Sequence, residues 1–223
     1  IYIAGFYSNR GPDQIKGILL QQIDSEGEVL RETSEPFGEA FLANYLSNGQ
    51  INRGRELRNF RIMDPEEGLV LRSDGGVLLL AENYYVTTQS FRDRFNNFSD
   101  RTYYNYGDVI CTSISPEGNI EWHAIVDKYQ VTENPNLGSY FSAAGPEGIY
   151  VFYEFNPRGQ ARNLYYNTVG IEGQVSARRP TLEDFRGGTD FVPGLCRQVS
   201  NTEAILGYYQ NNGKVLSLVR VEL

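Results

Sequence analysis

The stretch Asp108-Val-Ile-Cys-Thr-Ser-Ile-Ser-Pro-Glu-Gly118-Asn-Ile decides the fold. It reads as an apolar strand, a tight corner and the start of a second strand. Val, Ile and Thr suit a pleated surface, and glycine supplies the positive φ that the corner needs. The same phrase stands earlier as Gly17-Ile-Leu-Leu-Gln-Gln-Ile-Asp-Ser-Glu-Gly27-Glu-Val. It returns later as Leu164-Tyr-Tyr-Asn-Thr-Val-Gly-Ile-Glu-Gly173-Gln-Val. A recurring supersecondary unit points to a modular β architecture.

Working outward, an apolar strand precedes each phrase: Ile1–Asn9, Val77–Thr87 and Ile149–Asn156, with Ala204–Asn212 opening a fourth copy. Further strand-like pieces lie at Leu69–Asp74, Ser139–Ala144 and Val192–Ser200. The repeats therefore span about 1–35, 67–128, 138–180 and 191–223, within one domain over 1–223. In the second, strands are expected at 69–74, 77–87, 108–116 and 119–128; in the third, at 139–144, 149–156, 163–170 and 174–179. The first runs 1–9, 17–24 and 28–34, and the fourth 192–200, 204–212 and 214–223, with a hairpin corner at Asn212-Gly213. Four antiparallel strands in about 40–55 residues is the pattern of a propeller blade. The expectation is an all-β chain, a partial or open β-propeller of about four four-stranded antiparallel repeats with one short helix insertion. A β-sandwich is the alternative, since it also yields many short strands.

Two insertions interrupt the rhythm, at 36–66 and 88–107. Phe37, Phe41, Tyr45 and Leu46 carry a helical spacing, which predicts a short amphipathic helix over 37–47. Residues 88–107 read as a long loop between two strands, and such loops are commonly functional. Arg53, Arg55, Arg58 and Arg61 follow the predicted helix, while Arg92, Arg94 and Arg101 lie among Phe91, Phe95, Phe98, Tyr103, Tyr104 and Tyr106. Arginine interleaved with aromatics is a composition of contact surfaces. In a propeller both insertions would rise on one face, as a shared platform for a protein or a glycan.

Composition removes several functions. With 20 basic against 28 acidic residues the chain carries −8 and suits no nucleic acid. No apolar run is long enough to span a membrane as a helix. Ile1 opens inside an alternating apolar stretch with no initiator Met, basic leader or signal core, which predicts a processed form or a fragment. Cys111 and Cys196 read as two small buried hydrophobes, a disulfide being the alternative.

Catalytic and metal motifs are missing from the sequence. The one histidine, His123, follows Trp122 on an expected strand and reads as a partly exposed strand residue rather than a catalytic base. There is no Cys-x-x-Cys, no histidine pair and no phosphate loop, so neither a metal site nor a cofactor is expected. The turns at Asp24-Ser-Glu-Gly27 and Asn96–Asp100 offer oxygens, yet match no calcium loop. Glu82, in the apolar run Leu78–Tyr85, is the one suspicious acid, since a charge inside is costly unless paired. It would line a propeller channel or pair with an arginine.

Asp74-Gly-Gly-Val-Leu-Leu-Leu-Ala-Glu-Asn-Tyr-Tyr, Tyr103-Tyr-Asn-Tyr-Gly-Asp-Val-Ile, Gly118-Asn-Ile-Glu-Trp-His-Ala-Ile-Val-Asp-Lys-Tyr-Gln and Ser139-Tyr-Phe carry a resemblance. Across about residues 60–165 the chain resembles a group of secreted or envelope-associated bacterial proteins with propeller-like repeats and no characterised role. Trp122, Lys128 and Gln130 fall in its most distinctive stretch. The resemblance implies an exported protein held at the outer surface with other protein subunits, and it implies no activity. The expected function is a non-enzymatic protein-interaction module, an accessory subunit of a bacterial cell-envelope or outer-membrane complex. A glycan-binding or glycan-active propeller that uses its channel is the alternative.

Overall fold

The computed structural model describes residues 1–11, 14–62, 68–92, 94–155, 163–181, 190–210 and 213–223. The all-β reading holds: the described strands form antiparallel sheets, and helix is limited to short turns. The chain divides into two compact units, Ile1–Asn83 with Ile110–Ala124, and Tyr84–Val109 with Ile125–Leu223.

In the first unit, Tyr2–Tyr7, Gly17–Ile23 and Val29–Pro36 form a three-stranded sheet with Gly5 opposite Leu19 and Leu20 opposite Thr33. Gly27 turns the corner at φ +91°, and Asp24 Oδ1 accepts from the amides of Glu26 (2.8 Å) and Glu28 (2.9 Å). The oxygens considered for calcium thus serve their own turn. Ser115–Asn119 closes the corner between Phe98–Ile114 and Ile120–Val126 with Gly118 at φ +90°. The first sheet reaches this corner: Glu35 Oε2 accepts from the Ile120 amide at 2.6 Å, and Arg31 donates to the Pro116 carbonyl.

The expected helix over 37–47 is instead two single turns, Glu39–Leu42 and Asn48–Ile51. Asn44 breaks it. Its Nδ2 donates to the carbonyls of Phe41 (2.9 Å) and Ala40 (3.3 Å), taking acceptors a continuing helix would use. Ser47 then starts afresh, in a reciprocal capping pair with Gln50. The fourfold spacing still aligns aromatics: Phe37 lies 4.7 Å from Phe41, Phe41 5.8 Å from Tyr45, and Tyr45 5.1 Å from Phe60.

In the second unit, Tyr140–Gly145, Gly148–Phe155, Asn163–Val169 and Arg179–Pro180 form one sheet. The strand expected at 174–179 is reduced to a bridge at Val175 and to Arg179–Pro180. Between them the Ser176 amide still donates to the Thr168 carbonyl (2.9 Å), while the Thr168 amide bonds to the Ser176 hydroxyl (2.8 Å) and Asn167 Nδ2 donates to the Ser176 carbonyl (2.8 Å), so side chains take over part of the ladder. A second sheet joins Arg197–Ser200, Glu203–Gln210 and Val215–Glu222, with Asp190–Phe191 also paired to the central strand. The single strand expected over 192–200 is split because Pro193–Leu195 forms a 3-10 turn. The corner at Asn212-Gly213 lies partly outside the described residues, as do residues 63–66 of the first insertion. Phe141, Phe152, Leu164, Phe191, Cys196 and Leu206 are the heart of this unit's core.

The loop expected at 88–107 is a correction of substance. Val77–Arg92 and Phe98–Ile114 are strands, and between them Asn96 stands at φ +67°. Val86-Thr-Thr-Gln-Ser-Phe and Ser99–Tyr104 are rich in Thr, Ser and aromatics, which pair as readily as they loop, and Asn96 tolerates the left-handed turn.

Candidate functional site: a two-stranded ribbon in solvent

The outer half of that hairpin is the most distinctive surface of the second unit. Every described residue from Val86 to Arg101 is exposed, so both faces of the ribbon meet solvent. Large apolar side chains stand there: Phe91 is 41% exposed, Phe95 70% and Phe98 71%. A lone two-stranded hairpin is marginal in water, and this one is held by cross-strand contacts. Ser90 Oγ donates to Asp100 Oδ1 at 2.6 Å, and Arg92 lies over the Phe98 ring at 5.4 Å. On the other face Arg101 lies over Phe91 at 5.4 Å, and at the turn Arg94 lies over Phe95 at 5.0 Å. Each cation–π contact contributes about 0.5–1 kcal/mol at such exposed sites. Arg101 also pairs with Glu133 at 3.4 Å.

At its base the ribbon is anchored by buried Asn105. Its Nδ2 donates to the Tyr85 carbonyl, Thr87 Oγ1 and the Tyr103 carbonyl, and its Oδ1 accepts from Tyr129 Oη at 3.2 Å. Burial and a bond to Tyr85 hold the Tyr129 phenol above its usual range. Tyr103 and Tyr104 are half-buried. Nearby, buried Lys128 donates to Gln130 Oε1 (3.1 Å), which also accepts from the Ser139 amide (3.0 Å). Lys128 and Gln130 therefore satisfy backbone and each other.

Of the residues singled out from sequence, Phe91, Arg92, Arg94, Phe98, Arg101, Tyr103 and Tyr104 all lie on this ribbon of the second unit, on strand and turn rather than on a long loop. Arg53, Arg55 and Arg58 are exposed in the first unit, where Arg53 Nε caps the Gly49 carbonyl at 2.8 Å and Arg58 stands across from Gln14. Glu82 is fully buried, with Arg61 directly across from it in the ladder. Cys111 and Cys196 are both buried, Cys196 Sγ donating to the Val192 carbonyl at 3.5 Å, and burial pushes the Cys111 thiol up to about 12. No cluster of three metal-binding side chains exists among the described residues. The uncharged run Val86–Ser90 had no place among the sequence candidates, although its signal was there: β-branched Val86, Thr87 and Thr88 before the Asn96-Asn97 pair and aromatic Tyr103 and Tyr104 after it.

His123 is half-buried against Phe41 (4.4 Å) and Phe37 (5.2 Å), with Nδ1 at 2.9 Å from Thr112 Oγ1. Desolvation lowers its pKa to about 4. The neutral ring is thus the folded form, and protons favour the unfolded chain, whose histidine titrates near 6.5. This contribution to stability is complete above pH 6.5 and is lost as pH falls through 6.5 toward 4. Allowing for the exposed part of the ring, the loss is roughly 2 kcal/mol. Urea unfolding across pH 4–7 should show it, and His123→Phe should flatten the profile between pH 5 and 6.5.

A cluster in the first unit is electrostatic. Arg72 joins Asp74 (2.5 Å), Glu121 and Ser113 Oγ (2.5 Å), and Ser113 Oγ donates to Glu121 at 2.6 Å. The Ser113 bond and then Arg72 hold Glu121 below the usual carboxylate range, and the Gly76 amide and then Arg72 do the same for Asp74. The cluster pins the Arg72–Gly76 corner and is fully self-satisfied.

Compared with known protein families, curated proteins and solved structures, the chain shows no match.

Proposed function

We propose that the chain is a non-enzymatic protein-interaction module, an accessory subunit of a bacterial cell-envelope or outer-membrane complex, built as an open β-propeller of about four four-stranded repeats. The ribbon carries the reading. Three phenylalanines exposed within eight residues, each beside an arginine, form an aromatic and arginine surface of the kind that anchors protein contacts. The repeat reading is supported by Gly27, Gly118 and Gly173, which turn the three repeated corners at φ +91°, +90° and +80°.

Tagged chain recovered from its native envelope should retain partner subunits identifiable by mass spectrometry. Replacing Arg92, Arg94 and Arg101 together by alanine, or Phe95 and Phe98 by serine, should abolish that retention. Stability should fall by no more than the cation–π contacts removed, about 1.5–3 kcal/mol for the arginine variant and about 1–2 kcal/mol for the phenylalanine variant, with circular dichroism unchanged. Undiminished retention in both variants would refute the reading.

A glycan ligand is the second reading. In the second unit a cleft of about 300 Å³ is lined by Tyr150, Phe152, Tyr166, Arg220 and Glu222. Thr181 Oγ1 beside it is buried and has no hydrogen-bond partner among the described residues. Aromatic rings with a few polar groups suit a small hydroxylated ring.

A further inference from the structure

We infer that the outer edge of the ribbon, Val86–Arg92, pairs antiparallel with the same edge of a second copy of this chain, about a two-fold axis at Gln89. The inference rests on the interaction reading and names the partner for the ribbon.

Both edges of the ribbon are bare of described strands. Along Val77–Arg92 the partners beyond Phe98–Ile114 are Leu69–Leu71, reaching Leu79, and Phe60–Arg61, reaching Asn83. From Val86 onward no described strand covers that edge. Along the opposite strand Gln130–Thr132 covers Tyr104–Tyr106, which leaves Phe98–Tyr103 open. Unpaired, exposed backbone in strand geometry is a template for another strand, and proteins normally blunt it with charge, proline or a bulge.

The two edges differ in that protection. When two copies of one strand pair antiparallel about a two-fold axis, facing residues share parity, so the central residue faces its own copy. For Phe98–Tyr103 that central residue is Asp100 or Arg101, and either choice opposes like charges. This edge is guarded against itself. For Val86–Arg92 the centre is Gln89, whose amide both donates and accepts, so two glutamines can bond to each other. The flanking pairs are then Thr88 with Ser90, Thr87 with Phe91, and Val86 with Arg92, with no like charges opposed. Val86–Phe91 contains no charge, proline or glycine, the composition that favours strand addition. Phe91 and Val86 are 41% and 47% exposed in the single chain, and pairing would shelter them.

Sedimentation equilibrium of the 223-residue chain tests this. The expected result is a concentration-dependent dimer of the 25.3 kDa chain. Gln89→Lys and Gln89→Glu should each weaken the dimer at least roughly ten-fold, with unchanged circular dichroism. An equimolar mixture of the two should restore it, because position 89 faces position 89. A strictly monomeric chain, or a dimer indifferent to both substitutions, overturns the inference. A chain that is monomeric yet loses a different protein when Phe95 and Phe98 are replaced overturns the self-pairing alone and leaves the interaction reading standing.

Discussion

Replacing Gly148 by alanine should destabilise the second unit by about 4 kcal/mol, the largest single loss expected from so small a change. Gly148 opens the central strand Gly148–Phe155, with φ at +126°, where L side chains are strained. An added Cβ would stand 2.1 Å from the Val169 carbonyl oxygen, on the strand paired alongside. That atom is backbone in a hydrogen-bonded ladder, so no rotamer change relieves the clash. Urea denaturation measures the loss. Gly194→Ala is the control, because a Cβ there meets nothing within 4 Å and should shift stability by about 0.5 kcal/mol or less.

Truncating Phe152 to alanine should cost about 4 kcal/mol as well, for a different reason. The ring is 2% exposed and sits among Phe141 (6.0 Å), Tyr150 (6.3 Å) and Tyr166 (5.6 Å). Its removal loses both the transfer of the ring out of water and the packing of three aromatic neighbours around the void. The same truncation at Phe95, which is 70% exposed, should change stability by about 0.5 kcal/mol or less. Equilibrium unfolding of the two variants side by side therefore separates a phenylalanine kept for the fold from one exposed to a partner. Equal losses at both positions would show Phe95 to be structural and would weaken the interaction reading.

Much of the strand layout was legible before any coordinates. The apolar runs of Gly17–Ile23, Gly148–Phe155 and Glu203–Gln210 mark strands within one or two residues of their observed ends. Glycines at positions 27, 118 and 173 mark corners because the positive φ required there is a local demand. Cys111 and Cys196 read correctly as buried hydrophobes, Cys111 on an apolar strand and Cys196 at the end of the turn Pro193–Leu195.

The misreadings have one origin. In 88–107 the polar residues signalled a loop, yet Thr, Ser and Tyr pair as strands once Ser90 meets Asp100 and Asn105 locks the base. The helix expected over 37–47 failed because Asn44 turned its side chain back onto Ala40 and Phe41, a choice that spacing does not record.

By itself the sequence determined the all-β class, the positions of the corners and most strands, because these follow from short apolar runs rich in β-branched and aromatic residues and from glycine's freedom at positive φ. Only the tertiary structure decided that Glu82 lies fully buried and that His123 sits against Phe41 and Phe37. It alone revealed that the aromatics and arginines of 91–101 stand on a bare ribbon. Burial and edge exposure depend on which distant segments arrive alongside a residue, and no local pattern along the chain carries that information.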